Sequence, residues 1–140
     1  MKLTKIETPP RTRIDTTVGT RVFAGDTMIF GDTGWRNVRG TLVNGWTASS
    51  VHIRRINAQV FVKIYALRGV DATDRVFLPM PEGFNWGGNG NVMIIGGVAV
   101  GYVNRAFSLA TGLDYFTGYY NEGSLVTNSP WPTSLPGTPA

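Results

Sequence analysis

Hydrophobic and polar residues alternate along this chain in short stretches, and Gly, Asn, Asp and Pro separate one stretch from the next. No segment repeats apolar residues at the i, i+3, i+4, i+7 spacing of an amphipathic helix over several turns. Many short alternating segments with turn residues between them are typical of sandwiches and barrels. The pattern therefore predicts an all-β fold, an antiparallel β-sandwich that is jelly-roll-like.

The clearest alternation lies in the centre of the chain and predicts a hairpin. Residues 51–56 and 59–65 are rich in Val, Ile, Phe and Tyr, which favour strands. Asn57 and Ala58 separate them, and Asn tolerates the positive φ that a tight hairpin turn needs. Trp35 and Trp46 stand close to glycine turns just before this hairpin, so we expect them to pin loops onto the sheet.

Weaker versions of the same pattern predict the other elements. We expect two short strands within residues 20–30, a hairpin that turns at Gly96 and Gly97, a loop over residues 85–91, and one helical turn over residues 106–112. Further strands are predicted at residues 38–43, 76–80, 92–95, 98–103, 115–120 and 125–126.

Both ends of the chain differ from the central domain, which we place at residues 20–127. Residues 1–19 contain a Pro pair that excludes helix and carry a net positive charge from Lys2, Lys5, Arg11 and Arg13. They are either a disordered terminus or an extended docking arm that orders on a partner. Residues 128–140 hold four Pro, one Trp and no charge, so we expect an extended tail that Trp131 anchors onto the domain or a neighbouring subunit.

Composition narrows the possible functions. The chain has 140 residues, a formal charge of +4 and no Cys, which excludes disulfides and Cys-based zinc or redox sites. Its basic residues are spread along the chain without a dense run, so nucleic-acid binding is not expected. No apolar run reaches the ~18 residues needed to cross a bilayer, and the N-terminus lacks the apolar segment of a secretory signal. We expect a protein made in the cytoplasm that leaves the cell, if at all, by another route.

Candidate chemistry is sparse, and we predict no catalytic, cofactor-binding or metal-binding residues. The one histidine, His52, lies in a predicted strand without a partner for a triad. The glycine-rich loop near residue 88 lacks the Lys and Ser/Thr of a phosphate-binding loop. Asp71 and Asp74 share one loop, but two carboxylates alone are weak grounds for a calcium site.

Aromatic residues give the more informative pattern. Trp86, Tyr115, Tyr119 and Tyr120 lie in or beside loop-like sequence with polar neighbours. Exposed aromatic rings in such settings stack on sugars or mark contact surfaces, whereas buried ones belong to the core or to a subunit interface. Both alternatives stay open for these four side chains.

Several short motifs resemble the C-terminal domains of minor tail and fibre proteins of phages that infect actinobacteria. These motifs are GDTGWRNV from Gly31, LVNGWT from Leu42, IRRIN from Ile53, LPMPEGF from Leu78 and WPTSLPGTP from Trp131. The resemblance implies a β-sandwich, a place on the exterior of the virion, trimeric assembly and no catalysis.

The resemblance also suggests how such a protein is attached. Domains of this kind usually end a much longer protein, whereas this domain follows only a short arm. We therefore expect residues 1–19 to bind another virion protein of the tail or the capsid. A minor tail or fibre protein, a capsid decoration or head-fibre protein and a module that binds host cell-wall glycan all fit this reading.

Overall fold

The computed structural model describes residues 11–140, and nearly all of their regular secondary structure is antiparallel strand in two packed sheets, as the sequence predicts. Twelve strands and one short 3-10 helix, Arg39–Thr41, follow one another along the described chain. The strands are β1 Thr12–Asp15, β2 Thr20–Ala24, β3 Thr27–Asp32, β4 Arg36–Asn37, β5 Ser50–Ile56, β6 Gln59–Tyr65, β7 Val76–Pro79, β8 Gly90–Ile95, β9 Val98–Val103, β10 Ala106–Ser108, β11 Tyr120–Val126 and β12 Thr138–Pro139.

The larger sheet has eight strands and is built around the β5–β6 hairpin. Its strands run in the order β1-β2-β3-β5-β4-β12, while β6 pairs with the other edge of β5 and β11 pairs with β6. Asn57 adopts a φ of 53° at the hairpin turn, which is the left-handed conformation expected of it. The sequence prediction of this hairpin is confirmed.

The smaller sheet has four strands in the order β7-β10-β9-β8. Strands β8, β9 and β10 follow one another through tight turns, and β7 lies beside β10, which is the order of a Greek key. The turn between β8 and β9 uses Gly96 and Gly97, both with positive φ, as predicted. The loop predicted over residues 85–91 is shorter, because β8 already begins at Gly90.

The core lies between the inner faces of the two sheets. Alternate residues of β5 and β6 point inward, so Val51, Ile53, Val60, Val62 and Ile64 are all fully buried. They pack against residues of the smaller sheet, which include Phe77, Ile95, Val100, Tyr102 and Phe107. The inner faces approach closely at Gly123 of β11, where an added Cβ would lie 2.6 Å from Ile95.

Strands β1, β2 and β3 extend the larger sheet beyond this core, and we call them the flange. Their hydrophobic residues are half-buried or exposed, and the buried hydrophobic core begins only at Val38. The flange includes residues 12–15, which the sequence assigned to the N-terminal arm. These residues pair with β2 in full register, so the folded sheet starts before residue 20.

Three element predictions are wrong. Residues 38–43 hold the 3-10 helix instead of a strand, because Val38 is buried and Thr41 donates its backbone N–H back to the Val38 carbonyl. The helical turn expected at residues 106–112 is strand β10 followed by a turn. The strand expected at residues 115–120 is a turn with positive φ at Phe116 and Gly118, and β11 begins only at Tyr120.

Candidate binding surfaces

The four aromatic residues singled out from the sequence do not form one site. Trp86 is half-buried over the inner face of the smaller sheet, where its ring lies 5.9 Å from that of Tyr102. Its backbone N–H donates to the Tyr102 hydroxyl at 2.9 Å, and the indole packs so closely over Gly88 that this position has no room for a Cβ. Trp86 is therefore mainly a packing residue.

Tyr115 packs against a different aromatic residue, Trp46. Its ring stacks on Trp46 with centroids 6.1 Å apart, and its hydroxyl donates to the Ala110 carbonyl at 2.8 Å. Partial burial raises the pKa of the Tyr115 hydroxyl above its ordinary value. Tyr115 thus joins two loops and has little ring surface left to offer a ligand.

Tyr120 belongs to a surface that the sequence did not delineate. It lies on the outer face of the larger sheet, 5.3 Å from the ring of Tyr65 and 5.9 Å from that of His52. Ser50 donates its hydroxyl to the Tyr120 hydroxyl at 3.1 Å. We call His52, Tyr65 and Tyr120 the outer aromatic cluster. About half of Tyr120 is exposed, and its neighbour in the chain, Tyr119, is 62% exposed.

Charged residues border this cluster along the same outer face. The Lys63 ammonium lies 4.6 Å from the ring centroid of Trp35 and 3.2 Å from a carboxylate oxygen of Glu122. His52 is opposite Lys63 in the β5–β6 pairing, and partial burial together with the Lys63 charge lowers the pKa of its imidazole. The outer face therefore combines aromatic rings with a cation held in place by a ring and a carboxylate.

Which residues lie on the outer face follows from the alternation of inward and outward side chains along β5 and β6. Positions 52 and 54 of β5, and 61, 63 and 65 of β6, carry His, Arg, Phe, Lys and Tyr and face outward. This alternation was visible in the sequence. The pairing of β6 with β11, which brings Tyr120 beside Tyr65, was not visible, because the two strands are far apart in the chain.

Trp131 anchors the C-terminal tail onto the chain's own domain. Its indole N–H donates to the Val18 carbonyl at 3.0 Å, and its ring covers Gly31, where an added Cβ would lie 2.7 Å from the ring. Beyond Trp131 the tail ends in β12, which pairs with β4. The sequence left open whether Trp131 anchors the tail onto its own domain or onto a neighbouring subunit. In the described chain it packs on its own domain.

Arg55 binds the C-terminal tail from the inner face of β5, and the sequence did not single it out. It points inward from β5 and is only 6% exposed, yet all its side-chain partners are backbone carbonyls. Its guanidinium donates to Asn57 at 2.6 Å, to Gly83 at 2.7 Å and to Pro130 at 2.8 Å, and lies 5.0 Å from the Trp131 ring centroid. Burial lowers the pKa of this group, but a guanidinium stays charged in proteins.

The basic residues predicted as a docking arm divide into two groups. Lys2 and Lys5 lie outside the described residues. Arg11 directly precedes β1, and Arg13 lies in β1, where its guanidinium is 4.2 Å from the ring centroid of Phe23. Arg13 therefore packs on the domain as well as carrying charge.

A depression of about 620 Å³ opens on the outer face of the smaller sheet. Small residues such as Gly101 and Ser108 form part of its lining, and Asp74 and Tyr115 lie among its borders. Asp74 accepts a hydrogen bond from the backbone N–H of Val76 at 3.0 Å, which is the role of a turn residue. Within residues 11–140, no three His, Cys, Asp or Glu side chains come together in a way that would hold a metal ion.

Comparison of the chain with protein-family models, with curated proteins and with solved structures gives no match. Among the described residues, no helix is long and apolar enough to cross a membrane.

Proposed function

We propose that this chain is a non-enzymatic structural protein of a phage virion, a module on the particle exterior of the minor tail or fibre type that acts through its sheet surfaces. The observation that carries the proposal is the number of large apolar side chains left in solvent on the flange. Ile14, Ile29 and Phe30 are 66%, 57% and 39% exposed. Ile14 and Phe30 share one face of the flange through Val22, and exposed apolar patches often mark contact sites in soluble proteins.

The phage setting rests on the motifs that resemble actinobacteriophage tail and fibre domains. Those motifs include the turn at Gly31 and the tail at Trp131, which meet in space because the Trp131 ring covers Gly31. Two of the resembling segments thus depend on each other for packing, which supports reading them as parts of one module.

Because residues 12–15 of the arm expected at residues 1–19 pair with β2, attachment to the particle is assigned to the part that precedes the flange, residues 1–10. The test is a phage that carries this gene with residues 1–10 deleted, a change that leaves every described strand intact. We expect particles that assemble but lack the protein in quantitative protein analysis. The control is the same phage with Thr133→Ala, an exposed tail substitution that leaves residues 1–10 in place. Normal incorporation of the truncated chain would refute attachment through these residues.

Particle imaging separates the possible locations. Density for this chain along the tail supports a minor tail or fibre protein, and density on the capsid surface supports the decoration or head-fibre alternative. Purified particles without any copy of the chain would contradict the virion proposal altogether.

The outer aromatic cluster favours a second candidate, a module that binds host cell-wall glycan. Tyr120 is half exposed and lies at the end of a paired strand, supported by Tyr65 and His52. Aromatic rings held rigidly on a sheet suit stacking on sugar rings, and binding at such sites loses little side-chain entropy.

A comparison of two variants tests this candidate. Glycan-array binding, if present, should be lost in Tyr120→Ala and kept in Tyr115→Phe, which retains the ring stacked on Trp46 and lies outside the outer aromatic cluster. Equal binding by wild type and Tyr120→Ala would exclude the outer aromatic cluster as the sugar site. An array without any signal for the wild-type chain would count against glycan binding itself.

A further inference from the structure

Among residues 11–140, the backbone hydrogen-bonding groups on the outer edge of β1 have no partner. Within residues 11–140 no strand pairs with this edge, and β1 ends the strand order of the larger sheet. The Arg11 carbonyl accepts from the Gly25 N–H at 2.9 Å, so odd-numbered residues of β1 direct their backbone groups toward β2. Thr12 and Ile14 therefore direct their N–H and C=O groups away from the sheet, where another strand can bind them.

An apolar row reaches this edge on the open face of the flange. Ile14 is opposite Val22 in β2, and Val22 is opposite Phe30 in β3. Ile14 is the most exposed of the three at 66%. The Trp131 ring covers Gly31, which lies opposite Arg21 on the other face of the flange. The apolar row of Phe30, Val22 and Ile14 thus ends at the sheet edge, where the Ile14 side chain is exposed to solvent.

The charges of β1 are complementary to themselves under a two-fold rotation. Arg13 and Asp15 have opposite charges, lie two residues apart and share the face opposite to Ile14. Within one chain the Asp15 carboxylate lies 3.6 Å from the Arg13 guanidinium and 3.3 Å from that of Arg21, so pairing of two chains adds a further partner to each of these charges. In an antiparallel pair with Ile14 opposite Ile14, each Arg13 faces Asp15 of the other strand. A shift of the centre to residue 13 or to residue 15 would place like charges directly opposite each other, which is destabilising.

We propose that two copies of this chain associate through antiparallel β1 strands, with Ile14 opposite Ile14 and Arg13 opposite Asp15 of the second copy. The backbone groups of Thr12 and Ile14 then bond across the two-fold axis. The apolar row becomes continuous over six strands, from Phe30 of one copy to Phe30 of the other. On the opposite face, two Arg13–Asp15 pairs close the interface.

A second copy fits this edge better than an unrelated strand. Charged residues on edge strands usually prevent pairing, because most partners leave those charges unmatched. Of the registers centred on residues 13, 14 and 15, only the one centred on residue 14 places opposite charges across the interface, and it also pairs the two exposed Ile14 side chains. Self-association of this kind is isologous and stops at two chains.

The pairing does not depend on the virion proposal, and the two fail separately. The resemblance to phage tail proteins implies a trimer, whereas β1 pairing gives a dimer. Sedimentation equilibrium of the full chain measures the difference. A mass of two 15.2 kDa chains supports the pairing. A monomer at concentrations up to about 1 mM, or a trimer, would overturn it.

A charge swap tests the register. Arg13→Glu and Asp15→Arg each place like charges opposite each other in the homodimer, and we expect each to weaken dimerisation about tenfold or more. An equimolar mixture restores both attractive pairs, because Glu at position 13 then faces Arg at position 15 of the other chain. Native mass spectrometry should show a heterodimer in excess over both homodimers. Homodimers and heterodimer in statistical proportion would overturn the register.

A proline variant tests the edge independently of the charges and of the folding of the Asp15 variant. Thr12→Pro removes an N–H that points away from β2, so the β1–β2 pairing within one chain keeps its bonds. We expect a folded monomer by circular dichroism and sedimentation, with Thr12→Val as the matched control that stays dimeric. A Thr12→Pro chain that dimerises as well as wild type would show that β1 is not the interface.

Discussion

Replacing Arg55 by Met should destabilise the domain and loosen its C-terminal tail. Methionine keeps most of the aliphatic volume of Arg55 but removes the hydrogen bonds to the carbonyls of Asn57, Gly83 and Pro130. Hydrogen bonds from a charged donor contribute about 1.5–3 kcal/mol each. The variant also no longer buries a charge, and because burying an ion costs about several kcal/mol, this offsets part of the lost hydrogen bonding. We expect a net loss of about 3 kcal/mol.

Urea unfolding followed by circular dichroism measures this loss, with an unchanged dependence on denaturant if the unfolded state is the same. For a domain of this size, thermal unfolding should shift down by about 10 °C. Arg54→Met is the matched control, because Arg54 is the adjacent residue on the outer face and bonds only Asp32. Its loss should cost about 1 kcal/mol or less.

A truncated chain that ends at residue 128 identifies the part of this effect that belongs to the tail. The truncation removes the Pro130 carbonyl and the Trp131 ring, so Arg55→Met should cost about 1–2 kcal/mol less in the truncated chain than in the full one. Equal costs in both chains would show that Arg55 does not hold the tail. A cost in the full chain no greater than that of Arg54→Met would refute the role of the buried guanidinium.

Three further predictions follow from packing and charge. Gly31→Ala should lower stability by about 1–3 kcal/mol in urea unfolding, because the new methyl group meets the Trp131 ring, whereas Gly40→Ala, with nothing within 4 Å, should cost much less; equal effects would contradict the close packing. The Arg54 side chain lowers the pKa of Asp32 below its ordinary 3.8, so its stabilising effect is complete above about pH 4 and is lost as the pH falls through the lowered pKa. Asp32→Asn should therefore reduce the loss of stability between about pH 5 and about pH 3. If the dependence of stability on pH in acid is unchanged in this variant, the Asp32–Arg54 ion pair is not the source of that loss. Trp86→Ala should reduce stability by about 3 kcal/mol because its ring packs on the core, and a variant as stable as wild type would show that the ring is dispensable.

The sequence predicted the fold class and the central hairpin because both depend on local pattern. Asn57 and the alternation on either side of it are sufficient to place the turn and the two strands. The strand predicted at residues 115–120 failed for an equally physical reason. Tyr115 and Phe116 are aromatic because they pack on the body, while β11 is polar in composition and is kept in the sheet by its pairing with β6.

The surfaces were harder to predict than the fold. Position 55 lies in the same alternation as Val51 and Ile53, so the pattern places Arg55 inside. What it cannot supply are the three carbonyl partners, two of which come from positions 28 and 75 residues away. Strand β1 of the flange could not be recognised from the sequence either, because the Pro pair and the charged residues up to residue 15 are typical of a free arm.

The way in which the tail crosses the domain has a consequence for the order of folding. The Trp131 indole reaches a carbonyl 113 residues earlier in the chain, and Arg36 reaches one 100 residues later. Contacts between such distant positions form slowly, because the intervening chain must first be brought together. The hairpin of β5 and β6 can form early from neighbouring residues, whereas the tail closes over the domain last. Until then the face around Gly31 lacks its Trp131 cover, and nascent chains are most prone to misassociate in that interval.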